Sequence, residues 1–215
     1  MLSHSARPEG RSPRTRAVLA GWSDDEPTAR SLLDHDDPST RSSALSALER
    51  LGVLTLGDLE ARAGDPSAAV RRRVARLAGR RDDAATVALG LLADEEPMVV
   101  EEAAFACGEL VLHDARGDLQ ALASEHPDPL CREAAVASLG ALGQPESLST
   151  VLAAAADLPA IRRRAAIALA AFTDDEQAIA MLRTLLEDRD WQVRQSAEDV
   201  LAAVDSAVDS TPPPN

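Results

Sequence analysis

One block of sequence returns six times at a period of about thirty residues, and that recurrence constrains the fold more than any single motif. The copies read DDPSTRSSALSAL from Asp36, GDPSAAVRRRVARLA from Gly64, EEPMVVEEAAFACGEL from Glu95, PDPLCREAAVASLGAL from Pro127, DLPAIRRRAAIALAAF from Asp157 and DRDWQVRQSAEDVLAAV from Asp188. They align on a column of Arg41, Arg71, Glu101, Arg132, Arg162 and Arg194. Three residues on stand Ala44, Val74, Ala104, Ala135, Ala165 and Ala197. Seven residues on stand Leu48, Ala78, Gly108, Leu139, Leu169 and Leu201. Positions three, four and seven apart share one face of a helix, so the columns mark the same helix repeated. A period of this size means stacked supersecondary units, each too small to bury its own apolar face.

The start of each helix carries a physical signature. Asp37-Pro38, Asp65-Pro66 and Asp128-Pro129 put a carboxylate at the N-cap and proline at the first helical position. There the carboxylate accepts from an orphan backbone N–H, and proline has no donor to lose. Glu96-Pro97 and Leu158-Pro159 keep only the proline, and Trp191 replaces it in the last copy. Between these helices the apolar spacing predicts a second set, near 56–63, 83–92, 115–123, 146–156 and 175–186, with a leading half repeat around 28–33. The expected layout is a disordered tail over 1–12, the repeat array over 13–204 and a flexible tail over 205–215. The second copy has two extra residues between Pro66 and Arg71, and Ala78 replaces its column leucine, so it is expected to be a weak joint.

Composition fits an all-helical chain. About one residue in five is Ala, aromatics make up 2% and Tyr is absent. Ala loses no side-chain entropy in a helix. The net charge is −14, and every one of the 22 basic residues is Arg. Lysine nucleophiles and Walker-type phosphate loops are therefore excluded. The acidity opposes non-specific nucleic-acid binding. Cys107 and Cys131 have no metal or redox spacing and read as buried residues of a reducing compartment. No signal peptide and no apolar run of spanning length is read, so a soluble, cytoplasmic protein is expected.

The Asp-Pro turn, the Arg three residues later and the Ala and Leu that follow resemble the HEAT-like repeats of the phycobilisome-lyase type, over roughly residues 28–204. The resemblance implies a right-handed α-solenoid of about six helix pairs, first helices convex and second helices concave. It also implies that the Asp and Arg residues tie adjacent repeats together. Deoxyhypusine hydroxylase, another HEAT-repeat protein, carries His-Glu pairs, and this chain has none. His35 and His126 occupy matching turns three repeats apart, too far to share a metal. Alkylpurine glycosylases, also HEAT-like, imply a basic groove lined with aromatics. The only aromatics here are Trp22, Phe105, Phe172 and Trp191. The two Phe read as core residues, and the two Trp as covers for the terminal repeats.

The expectation is a non-catalytic protein-binding scaffold or adaptor with no metal and no cofactor, no nucleic-acid or membrane partner, and a monomeric state. The partner is a protein whose identity the sequence does not give. The alternative is an accessory or chaperone-like component of a lyase or other modification complex. Helical-wheel placement directs Thr86, Gly90, Gln120, Ser124, Thr150, Gln177 and Thr184 away from the core, on the second helices. They would form a small, uncharged floor with an acidic rim from Asp58, Asp82, Asp83, Asp118 and Asp175.

Overall fold

The computed structural model describes residues 10–209, which form thirteen α-helices. The first helices of the repeats are α1 (Pro13–Ala20), α3 (Pro38–Arg50), α5 (Ala68–Ala78), α7 (Pro97–Glu109), α9 (Pro129–Leu142), α11 (Pro159–Ala168) and α13 (Trp191–Asp209). The second helices are α2 (Glu26–Ser31), α4 (Leu56–Ala63), α6 (Ala85–Leu91), α8 (Arg116–Glu125), α10 (Leu148–Ala154) and α12 (Glu176–Leu185). No strand occurs among the described residues, and the fold is an all-α solenoid of helix pairs. Two differences concern the ends. α1 precedes α2, so the leading segment is a full pair and not a half repeat. α13 continues to Asp209, so residues 205–209 are helical where a flexible tail was expected. The remainder of both expected tails, at 1–9 and 210–215, lies outside the described residues.

The chain divides into two compact units, Met1–Leu77 and Ala78–Asn215. The division falls at Ala78, where the leucine column is interrupted. In the first unit, Leu45, Leu48, Leu59, Val70 and Val74 are fully buried. In the second, Leu119, Leu139, Ile161, Leu169 and Leu182 are. Each such leucine contributes roughly 1.5–3 kcal/mol on burial, and alanine methyls fill the space between. The alanine-rich first helices approach closely. An added Cβ on Gly108 would come within 2.6 Å of the Ser138 hydroxyl and 3.0 Å of its Cα. One on Gly140 would come within 2.7 Å of the Ala168 Cβ and 2.8 Å of its Cα. These glycines set the distance between α7 and α9 and between α9 and α11.

The helix starts are capped largely as the sequence predicts. Asp37 accepts from Ser39 and Thr40 N–H, and Asp128 from Leu130 N–H. Glu96 and Leu158 make no side-chain cap. The second Asp-Pro copy differs. The two extra residues delay α5 to Ala68, so Pro66 is not its first residue, and Ser67 O starts the helical hydrogen bonding to Val70 and Arg71. Asp65 instead accepts from Ser67 N–H at 2.9 Å and receives an arginine fork.

That fork recurs. Arg41 donates from Nε and Nη2 to Asp65 at 2.8 and 2.6 Å, while its Nη1 holds the carbonyls of His35 and Asp36 at 2.8 and 2.9 Å. Arg132 grips Asp157 at 2.8 and 3.0 Å and its own turn carbonyls at 2.9 and 3.1 Å. Arg162 grips Asp188 at 2.8 Å through both nitrogens. Each arginine thus ties its own turn to the turn of the next repeat with planar, bidentate geometry.

The third copy of the column needs correction. Equal spacing places Glu101 with the arginines, but the buried position three residues after the proline is Val100. Val100 offers no fork, and the turn that would receive one carries His126 in place of a carboxylate. His126 Nδ1 accepts from Asp128 N–H at 3.1 Å, as Asp188 accepts from Asp190 N–H at 2.8 Å. An imidazole nitrogen closes the turn where no guanidinium arrives from the preceding repeat. His35 does the same for Asp37 N–H at 3.0 Å.

Two aromatic expectations also change. Trp22 and Trp191 are 69% and 65% exposed, so neither covers a terminal apolar face. Phe172 is buried and Phe105 half-buried.

Candidate protein-binding surface

The seven floor residues all lie on second helices of the second unit. Thr86 and Gly90 are on α6, Gln120 and Ser124 on α8, Thr150 on α10, and Gln177 and Thr184 on α12. Each helix turns its apolar residues inward: Val87, Ala88 and Leu91 on α6, Leu119 and Ala123 on α8, and Val151 and Ala154 on α10 are buried. That leaves Thr86, Gly90, Ser124, Gln177 and Thr184 exposed, and Gln120 and Thr150 half-buried. Only two of the seven are brought together by contact. Gln120 Nε2 donates to Glu146 O at 2.9 Å and lies 3.4 Å from Thr150 Oγ1, bridging two repeats. Thr184 turns its hydroxyl to Ala180 O within its own helix.

The acidic rim is less available than charge counting suggests. Asp58 closes a capping box with Thr55 and pairs with Arg30 at 3.2 Å. Asp83 pairs with Arg81 at 2.8 Å, and Asp175 caps α12 through Gln177 N–H. Asp82 is exposed, and Asp118 lies at the edge of a groove. That groove, about 380 Å³, runs between α6 and α8. Leu89 and Leu122 line it half-exposed over Leu92, with Asp118, Glu125 and His126 along the edge. Helical periodicity assigns these leucines to the core. Only the spacing between α6 and α8 exposes them, so the sequence carried no signal for the groove.

The arginine forks also act on the carboxylates they hold. The Arg132 fork holds the Asp157 carboxyl below the ordinary carboxylate range, and Arg162 does the same for Asp188. Burial pushes the Cys107 thiol up to about 12 and Cys131 up to about 11. Both thiols are fully buried, and Cys131 Sγ donates to Pro97 O at 3.2 Å. Neither has the low-pKa environment of a reactive thiolate. Among the described residues no three His, Cys, Asp or Glu side chains group as a metal site, and no helix is long and apolar enough to cross a membrane.

Comparison with known proteins matches the repeats directly. A family model of HEAT repeats matches residues 84–170, and the PBS lyase HEAT-like repeat matches residues 161–188. No curated protein matches. Among solved structures, the complex of CpcE and CpcF of phycocyanin lyase from Nostoc sp. PCC7120 is similar at 20% identity, over 95% of this chain and 81% of that one, with a TM-score of 0.64. YibA of Escherichia coli is similar at 16% identity, over 94% and 78%, with a TM-score of 0.67. An engineered protein is similar at 20% identity, over 85% and 99%, with a TM-score of 0.63. At these identities the likeness concerns the fold. Together with the repeated turn and its arginine forks, the family matches identify HEAT repeats in this chain, with the PBS lyase HEAT-like type matched at residues 161–188.

Proposed function

We propose that the chain is a non-catalytic protein-binding scaffold or adaptor, cytoplasmic and monomeric, whose second-helix layer receives a protein partner. The observation that supports this most is the groove between α6 and α8. Half-exposed Leu89 and Leu122 offer apolar contact, and Asp118 and Glu125 offer charge at its edge. Beside it, Thr86, Gly90, Gln120, Ser124, Thr150, Gln177 and Thr184 present small or uncharged side chains that allow close approach and hydrogen bonding. This combination of apolar centre and polar border is that of a protein interface. The acidic net charge favours a protein partner over nucleic acid.

A second reading is an accessory subunit of a modification complex. It is favoured by the fold likeness to the CpcE–CpcF complex of phycocyanin lyase. In that case the second-helix layer positions a substrate protein, and the chemistry resides in the assembly.

The test is association with a partner recovered from the source cells. Gln120→Arg with Thr150→Arg crowds the second-helix layer, and Asp118→Arg with Glu125→Arg reverses the groove edge. Both double variants are expected to weaken association, the second with an altered salt dependence. Association unchanged in both contradicts the placement of the surface.

A further inference from the structure

The first unit carries a second surface of different character. α1 and the turn after it expose Val18 at 45%, Leu19 at 36% and Trp22 at 69%, three large apolar residues within five positions. The Arg50 guanidinium, from the end of α3, lies 3.8 Å above the Trp22 ring. Among the described residues Arg50 has no carboxylate partner, unlike Arg41, Arg132 and Arg162. Beside the stacked pair is a pocket of about 180 Å³, between Val18 and Trp22 on one side and Ser43, Ser46 and Arg73 on the other. Arg73 donates to Ser42 Oγ at 3.4 Å. In a chain of net charge −14, both charged residues lining this pocket are arginines.

Two separate physical features converge here. An indole face supplies large, rigid apolar area, and Trp and Arg are the residues most enriched where binding energy concentrates. A guanidinium stacked on that face keeps its in-plane N–H donors directed outward, which suits bidentate recognition of a carboxylate. Leu19, exposed beside Val18 and Trp22, extends the apolar contact beyond the pocket.

We infer that this pocket is an interaction site for an acidic protein segment, with a carboxylate seated on Arg50 and an adjacent apolar side chain against Trp22 and Val18. The inference rests on the protein-binding reading and adds a second contact region, separate in kind from the groove between α6 and α8. Charge complementarity selects the occupant. A basic segment would meet Arg50, and a purely apolar one would leave the Arg50 donors without acceptors.

The test uses the full chain with Trp191→Phe, which leaves Trp22 as the sole tryptophan and its emission as the reporter. The probes are a short synthetic peptide of alternating Glu and Leu, its counterpart with Gln for Glu, and an oligothymidylate. The expected result is a blue shift of Trp22 emission on adding the acidic peptide, with a Kd about tenfold lower than for the Gln peptide. Arg50→Gln should raise that Kd about tenfold, and Arg50→Lys, which keeps the charge and loses the fork, should raise it by a smaller factor. Circular dichroism of both variants separates lost binding from lost folding. No emission change with the acidic peptide overturns the proposal, as does binding indifferent to Arg50, tighter binding of oligothymidylate, or a shift explained by self-association in light scattering. A partner that copurifies equally with the wild type and with Arg50→Gln overturns this surface and leaves the scaffold reading standing. Absence of any protein partner overturns both.

Discussion

Two junctions of the second unit join the same kinds of helix by different means. Between α9 and α11, Arg132 grips Asp157 with a full fork. Between α7 and α9, Val100 and His126 stand at the corresponding positions and no fork forms. Both junctions nevertheless bring first helices into the same close contact, through Gly108 on Ser138 and Gly140 on Ala168. The stack is therefore held by apolar packing and close helix approach, and the arginine fork is an addition that fixes the turn. Its absence is accommodated because two positions change together: an apolar residue replaces the guanidinium, and an imidazole nitrogen replaces the carboxylate oxygen that closes the turn.

The largest expected effect comes from breaking this match. Val100→Arg buries a guanidinium facing an imidazole, at a cost of about 3 kcal/mol in unfolding free energy. Adding His126→Asp supplies the missing carboxylate and should recover at least half of that loss in chemical denaturation. Recovery confirms that the two positions act as a unit. A double variant no more stable than the single one shows that they do not.

Next in size are the close approaches. Gly108→Ala and Gly140→Ala should each destabilise by about 2 kcal/mol, the overpacking exceeding the gain in helix propensity. Equal effects at the two junctions fit the common packing. A large loss at only one shows that the fork alters the contact.

The fork itself is worth less. Asp157→Asn should cost about 1.5 kcal/mol at neutral pH. Because the folded carboxyls of Asp157 and Asp188 titrate below their unfolded value, their contribution is full above the unfolded pKa of about 4. It is lost as pH falls through the folded values. Stability of the Asp157→Asn, Asp188→Asn variant should therefore converge on that of the wild type below this range, and the gap should open as pH rises. A gap independent of pH contradicts the assignment. The smallest effect is chemical: Cys107 and Cys131, buried with raised pKa values, should react with a thiol reagent at mildly alkaline pH only as fast as the chain opens.

Much of this architecture was legible in the sequence because repetition averages over weak local signals. Asp37 and Asp128 cap as their Asp-Pro pairs predict, and the leucine column is buried at Leu48, Leu139 and Leu169. Equal spacing points to Glu101 in the third copy, whereas the three-residue step from proline seen at Arg41, Arg132 and Arg162 leads to buried Val100. The lead helix α1 is hidden from the repeat pattern because Ser12-Pro13 lacks the Asp of the other starts, although Ser12 accepts from Thr15 N–H in the same way. Periodicity also identifies outward positions such as Gln120 and Thr150 without saying which of them meet. Their contact depends on how far Gln120 reaches across to Glu146 and Thr150. The α6–α8 groove and the Trp22–Arg50 stack depend on distances between helices, which a helical wheel does not contain.

The proposed role is to hold another protein. It is tested most directly by native mass spectrometry of the full chain, affinity-purified from its source cells. The expected result is a complex whose added mass is that of a protein, dissociating to an unmodified chain. A chain that instead carries a tightly bound small molecule and no protein contradicts it.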